Sequence, residues 1–145
     1  MAGGRWIARI GCFAACALLA SAWTSAAGRD RTRPVFAGLT AATTCIPGPV
    51  GGGMRLSSFG LVWPAAKDNV TPSSRIAYDV YLTTTSGAEN FSHATYTTRR
   101  GVTKFVTPLL PSNGIDTYYF VVRARDAAGN RDRNRRERPG RNLCL

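Results

Sequence analysis

The sequence predicts an all-β fold: an antiparallel sandwich of about seven short strands, preceded by a helical export signal. Several short segments alternate apolar with polar residues, as half-buried strands do. Gly, Pro, Asn and Asp separate these segments at spacings of about ten residues. Outside the amino-terminal segment, no window has a helical period. At 145 residues, the chain has room for one domain.

Residues 1–27 have the pattern of a secretory signal peptide. Arg5 and Arg9 precede an apolar run, and small residues follow it. We expect cleavage after Ala26 or Ala27. The mature protein is therefore expected to be secreted, in a periplasmic or extracellular location.

Other fates of this segment remain open. Cleavage after Ala22 also satisfies the preference for small residues. An uncleaved anchor would use residues 10–27, which are barely long enough to span a bilayer. Lipid attachment at Cys16 would require the apolar run to end there, yet it continues to Trp23. No later segment could cross a membrane.

Four cysteines occur in the chain, and two of them lie in the signal. Cys12 and Cys16 should leave with it. Cys45 and Cys144 then remain as an even pair in an exported protein, which predicts a disulfide bond between them.

The mature chain begins with a short charged leader, residues 28–33, and residues 34–145 form the predicted domain. Within this domain, residues 34–41 predict a first, edge-type strand. Residues 45–53 are rich in Gly and Pro and predict a loop.

Two alternating segments predict the next strands. Residues 59–63 place Phe59, Leu61 and Trp63 on one face. In residues 76–82 one face is predicted to point into the core and the other outward. The inward residues are Ile76, Tyr78, Val80 and Leu82, and the outward residues are Ala77, Asp79 and Tyr81.

The second half of the domain predicts three more strands. Residues 95–98 form a short one, and residues 102–110 form another in which either Phe105 or Val106 points inward. Residues 117–125 form the most apolar strand, which a turn at residues 126–130 ends. The inward residues of this strand include Tyr118, Phe120, Val122 and Ala124, and its outward face carries Arg123 and Arg125.

The chain is strongly basic, with a formal net charge of +11. Loss of Arg5 and Arg9 leaves 17 basic and 8 acidic residues, a charge of +9. An arginine stripe begins on the last apolar strand, continues beyond it, and could bind lipopolysaccharide, an acidic glycan or nucleic acid. Charge that keeps an edge strand from aggregating is the alternative. Because the stripe lacks aromatic residues, sequence-specific recognition of nucleic acid is not expected. The stripe comprises Arg123, Arg125, Arg131, Arg133, Arg135 and Arg136.

Catalysis and metal binding have weaker support. The single histidine, His93, lies in a polar loop, so neither an enzyme, a zinc site nor a cofactor is expected. Calcium is an alternative, because oxygen ligands recur at even spacing after the last apolar strand, although arginines interleave with them. The candidate ligands are Asp126, Asn130, Asp132 and Asn134, with Asp68 and Asn69 in another loop.

Several of these features together resemble a fibronectin type III domain, in the variant common in exported bacterial proteins. They are Trp63, the segment IAYDVYL, Leu109, Pro111, Tyr118 and the segment YYFVVRARDAAGN. The resemblance covers about residues 34–138 and implies an immunoglobulin-like sandwich. It also implies a non-enzymatic module that serves as a scaffold, in adhesion, or in binding an unidentified protein or glycan.

The resemblance assigns structural roles to particular residues. Trp63 is implied to be the central core tryptophan, and the Tyr118 hydroxyl is implied to bond backbone near residues 109–111 as a tyrosine corner. The connection before Tyr118 is longer than usual in the family, and most members lack the Cys45 and Cys144 pair. The implied neighbours of Trp63 in the core are Tyr78, Val80, Phe120 and Val122.

Overall fold

A computed structural model describes residues 29–44, 55–112 and 117–142. The predicted signal (residues 1–27), the whole predicted loop at residues 45–53, and both Cys45 and Cys144 lie outside these ranges. In the described ranges the protein is almost entirely β, with one 3₁₀ turn at Ser73–Arg75. No helix in this part of the chain is long and apolar enough to cross a membrane.

The described ranges contain short strands that pair mostly antiparallel. In chain order they are β1 (Ala41–Thr44), β2 (Arg55–Ser57), β3 (Gly60–Val62), β4 (Ala77–Thr83), β5 (Tyr96–Thr97), β6 (Lys104–Val106), β7 (Leu110–Ser112), β8 (Tyr119–Arg125), β9 (Arg138–Pro139) and β10 (Arg141–Asn142).

These strands form two four-stranded sheets and one pair. The first sheet has the order β10-β1-β3-β6, and the second has the order β5-β4-β8-β9. Strands β2 and β7 pair separately. All pairs are antiparallel except β1 with β10, which run parallel with Thr44 opposite Asn142.

One buried apolar cluster draws residues from both large sheets, which is consistent with a β-sandwich. The rings of Trp63 and Tyr78 lie 5.3 Å apart, and those of Phe59 and Phe120 lie 5.2 Å apart. Burying each such side chain stabilises the fold by roughly 1.5–3 kcal/mol. The alternation predicted at residues 59–63 holds here, because Val62 between the buried positions is 50% exposed.

The first predicted strand is displaced. Regular pairing begins at Ala41, whereas residues 34–41 were predicted to be extended. Val35 forms only an isolated bridge with Lys67. Gly38 has a φ of 87°, and a Cβ there would lie 2.5 Å from the Asn134 amide. The left-handed backbone conformation of Gly38 therefore interrupts the predicted strand.

The strand predicted at residues 102–110 is two strands in different pairings. Strand β6 pairs with β3, and β7 pairs with β2. Pro108 lies between them and has no N–H to donate to a ladder. Phe105 packs against the core, 5.4 Å from the Tyr96 ring, while Val106 is 67% exposed.

Candidate functional site

Asp79 is fully buried on the outward side of β4, where the sequence predicted an outward residue. Its carboxylate accepts hydrogen bonds from the Nε atoms of Arg125, at 3.1 Å, and Arg131, at 2.8 Å. The Arg125 Nη2 donates a third, at 3.3 Å, and the Thr97 hydroxyl a fourth, at 2.8 Å. Two arginines of the predicted stripe therefore neutralise a buried charge within the domain.

Arg123 is held in a similar way. Its Nε donates to the backbone oxygen of Asn134, at 2.8 Å. Its guanidinium lies 3.5 Å from the ring centroid of Phe91 and 5.7 Å from that of Tyr81. Burial lowers the pKa of Arg123 below its ordinary value. Tyr81, predicted to face outward, is also buried because these groups cover it.

The remaining arginines of the stripe are exposed. Arg133, Arg135 and Arg136, here called the outer arginines, follow β8 on the segment that covers its sheet. The Arg135 guanidinium lies 5.6 Å from the Phe91 ring centroid, and the Arg136 Nη1 lies 3.4 Å from the Ala37 oxygen. Among the described residues, the outer arginines are exposed and make no ion pair, so they are the part of the stripe most available to a polyanion.

Two of the predicted calcium ligands, Asp132 and Asn134, form hydrogen bonds with backbone groups. Asp132 accepts hydrogen bonds from the backbone N–H groups of Ala124 and Asn134. The Asn134 amide donates to the Val122 oxygen, at 2.8 Å. Burial raises the pKa of Asp132, and these backbone bonds oppose that rise. Both side chains therefore join the segment after β8 to its strand.

The other two predicted calcium ligands, Asp126 and Asn130, lie in the turn after β8, and Asp126 also meets two carboxylates from elsewhere in the chain. Asp126 and Asn130 close the turn after β8, where the Asn130 Nδ2 donates to Asp126, at 2.7 Å. Carboxylate oxygens of Asp30, Asp68 and Asp126 all lie within 4.8 Å of one another. We call these three residues the carboxylate cluster. The sequence did not identify Asp30, because no local pattern relates it to a turn 96 residues away.

A pair of glutamates links the loop after β4 to the chain before β9. Glu137 accepts hydrogen bonds from the Ser86 hydroxyl, at 2.7 Å, and from the Gly87 N–H, at 2.6 Å. Burial raises the pKa of Glu89, and neighbouring Glu137 raises it further. Burial acts to raise the pKa of Glu137 too, but its hydrogen bonds lower it overall. This pair fixes the position of the loop.

The residues assigned by the resemblance make close contacts. The Tyr118 hydroxyl donates a hydrogen bond to the Pro111 oxygen. Tyr78, Val80, Phe120 and Val122 lie in the same buried cluster as Trp63. The Tyr78 hydroxyl accepts from the Ala66 N–H, at 2.8 Å, and burial raises the pKa of Tyr78.

A cavity of about 330 Å³ lies beside β1. It is lined by residues 40–43 and by Arg138, Pro139 and Arg141.

His93, the single histidine, is exposed in the loop before β5, and its backbone N–H donates to the Asn90 backbone oxygen, at 3.3 Å.

Comparison of the chain with protein-family models, with curated proteins and with solved structures found no match. The class of protein is therefore defined by its fold and contacts alone. It is an almost all-β protein whose two main sheets contribute to one core.

Proposed function

We propose that this chain is an exported, non-enzymatic module of the fibronectin type III kind that binds a protein or glycan at the cell surface. The order in which the chain connects the two sheets supports an immunoglobulin-like topology of this kind. The chain passes from the first sheet at β3 to the second at β4, back to the first at β6, and again to the second at β8. Such crossovers are typical of immunoglobulin-like sandwiches.

The Tyr118 contact supports the same assignment. A tyrosine corner places a tyrosine near the start of the sixth strand, with its hydroxyl bonded to backbone a few residues upstream. Here the acceptor is Pro111, seven residues earlier.

The observation that favours partner binding is the difference between the outer faces of the two sheets. The segment after β8 covers the second sheet, where Asp79, Tyr81 and Val121 are buried. On the first sheet, Val62 and Val106 remain 50% and 67% exposed on neighbouring strands. The register pairs Val62 with Lys104 and Val106 with Gly60, so the two valines lie diagonally on the same outer face. Exposed apolar side chains grouped on one face are typical of contact surfaces.

Binding of the labelled exported protein to isolated envelopes of its host tests this function. We expect saturable binding that Val62→Asp combined with Val106→Asp weakens at least tenfold. Val70→Asp combined with Leu109→Asp is the matched control, since both side chains are exposed, at 65% and 60%, but lie in loops outside the first sheet. Non-saturable binding, or equal loss in both variants, would contradict the proposal.

A second candidate function is polyanion binding, and the exposure of the outer arginines favours it. Because Arg131 neutralises Asp79, it is excluded from the test variant. We expect serine at Arg133, Arg135 and Arg136 to weaken DNA binding and to reduce the slope of log affinity against log salt concentration by about one for each arginine.

The control replaces three other exposed arginines, Arg75, Arg99 and Arg100, with serine. It removes the same net charge from another part of the surface. Heparin and duplex DNA are the probes, each titrated at several salt concentrations. If the control loses as much affinity as the test variant, binding depends on net charge and not on the outer arginines.

A further inference from the structure

We propose that the carboxylate cluster of Asp30, Asp68 and Asp126 is a calcium-binding site. This inference is independent of the function proposed above. Two oxygens that each bind Ca²⁺ at about 2.3–2.6 Å can lie at most about 5 Å apart. The cluster's oxygens, within 4.8 Å of one another, satisfy that limit.

Two of these carboxylates have a buried oxygen without a hydrogen-bond partner. The Asp30 Oδ2 and the Asp68 Oδ1 each expose less than 1 Å² to solvent. The second oxygen of each is engaged, since Asp30 accepts from the Thr32 N–H and Asp68 from the Thr71 N–H. A buried carboxylate oxygen is costly to leave unpaired, and a bound cation removes that cost.

No basic side chain in the described ranges forms an ion pair with the cluster. In the described ranges, the ion pairs are those that Arg125 and Arg131 make with Asp79. Arg29, Arg31 and Lys67 are close to the cluster in sequence and are exposed to solvent. Three converging carboxylates therefore remain without a basic partner, although the chain carries a net positive charge.

The fold brings three distant segments to this point. Val35 and Lys67 exchange backbone hydrogen bonds, at 2.7 and 3.0 Å, which join the chain just after the leader to the loop after β3. The Ala127 N–H donates to the Thr71 hydroxyl, at 3.2 Å, and joins that loop to the turn after β8. The Asn130 Nδ2 donates to the Asp30 backbone oxygen, at 3.0 Å. The cluster is therefore positioned by contacts outside its carboxylates.

The ligand chemistry favours Ca²⁺ over other common divalent ions. The available donors are carboxylate oxygens, which suit calcium and magnesium better than zinc. Calcium accepts irregular geometry, whereas Mg²⁺ requires nearly ideal octahedral coordination. Residues from three irregular segments fit the tolerant ion better.

Isothermal titration of the EDTA-treated exported protein with CaCl₂ tests this site. We expect one site with a Kd of about 10⁻⁴–10⁻³ M, as in extracellular calcium modules. Saturating Ca²⁺ should raise the Tm by a few degrees, since binding to the folded state alone stabilises it. The same concentration of MgCl₂ should raise the Tm less. If 10 mM CaCl₂, roughly ten times the weakest expected Kd, gives no heat and no Tm change, the site does not exist.

Asp30→Asn and Asp68→Asn should each weaken Ca²⁺ binding at least tenfold. Glu89→Gln is the matched control, because Glu89 also has a buried, unpartnered carboxylate oxygen but lies outside the cluster. Unchanged affinity in both cluster variants would overturn the proposal.

The variants also distinguish a metal site from carboxylates that merely accept hydrogen bonds. In EDTA the cluster variants should melt at or above the wild-type Tm, because removing a charge relieves repulsion. In Ca²⁺ they should melt below it. An equal Tm loss in both conditions would assign the cluster a purely structural role. If the variants do not fold, the titration of the wild-type protein decides.

Discussion

At the scale of single residues, the arginines of the basic stripe have two different roles. Arg125 and Arg131 have side chains that are 32% and 47% exposed, yet both reach the fully buried Asp79. Their charged heads compensate a carboxylate that would otherwise be expensive to bury. The pattern of arginines that suggests a ligand site is thus partly explained by the stability of the fold.

We predict that Asp79→Ala lowers the free energy of unfolding by about 2–3 kcal/mol. This loss is smaller than is typical for breaking a buried ion pair, because both arginine side chains are partly exposed and can be solvated once Asp79 is removed. Urea unfolding measures it. Arg131→Ala should cost less, since Arg125 still pairs with Asp79. If Asp79→Ala unfolds at the wild-type urea concentration, the buried network does not contribute to stability.

At the scale of secondary-structure elements, the connection from β5 to β6 depends on a close backbone approach. Gly101 has a φ of 75°, and its N–H donates to the Ile76 oxygen, at 2.8 Å. A Cβ there would lie 2.8 Å from the backbone oxygen of Ser74, within the 3₁₀ turn. Gly87 has nearly the same φ, 76°, but has no neighbouring atom within 4 Å of such a Cβ.

This pair of glycines separates backbone strain from steric contact. We predict that Gly87→Ala costs about 1–2 kcal/mol, the penalty of a left-handed residue. Gly101→Ala should cost about 1–3 kcal/mol more, because the Ser74 backbone must also move. Chemical denaturation of both variants measures the difference. Equal costs would mean that the Ser74 backbone moves away from the added Cβ without an energetic penalty.

At the scale of the whole molecule, the first and last strands of the described chain lie side by side. Strands β1 and β10 run parallel, with Thr44 opposite Asn142. Cys45 follows Thr44 directly, and Cys144 comes two residues after Asn142. This pairing supports the predicted disulfide, although both cysteines lie outside the described residues.

We predict that the protein purified from its host contains a disulfide bond between Cys45 and Cys144. Its intact mass should be two hydrogens below that of the reduced chain, and peptide mapping should find the two cysteines linked. Reduction should lower the free energy of unfolding by roughly 4–5 kcal/mol, the chain-entropy value for a loop of about 100 residues. Free thiols in the untreated protein would contradict this prediction.

Stability should also fall at alkaline pH. Burial raises the pKa of Tyr78 and of Tyr81, so the folded state keeps their protons longer than the unfolded chain. Their contribution is present below the unfolded pKa of about 10 and is lost as the pH rises above it. We predict a urea midpoint that declines above about pH 10, with a shallower decline in Tyr78→Phe. A constant midpoint would contradict this.

The core was largely predictable, whereas the polar contacts were not. Alternation identified the buried face at Phe59, Leu61 and Trp63, because a strand repeats every two residues. The burial of Asp79 could not be read from alternation, since it depends on a segment about 50 residues later in the chain. The carboxylate cluster also depends on contacts between distant segments. It joins Asp126 to Asp30 and Asp68, whereas the spacing along the chain grouped Asp126 with Asp132.

The sequence by itself determined that the chain forms short, mostly antiparallel strands around an apolar core, because local period and turn residues act within a few positions. Only the tertiary structure decided which arginines remain free, where strands switch sheets, and which carboxylates meet. These outcomes depend on contacts between residues far apart in the chain, whose distances no local pattern encodes.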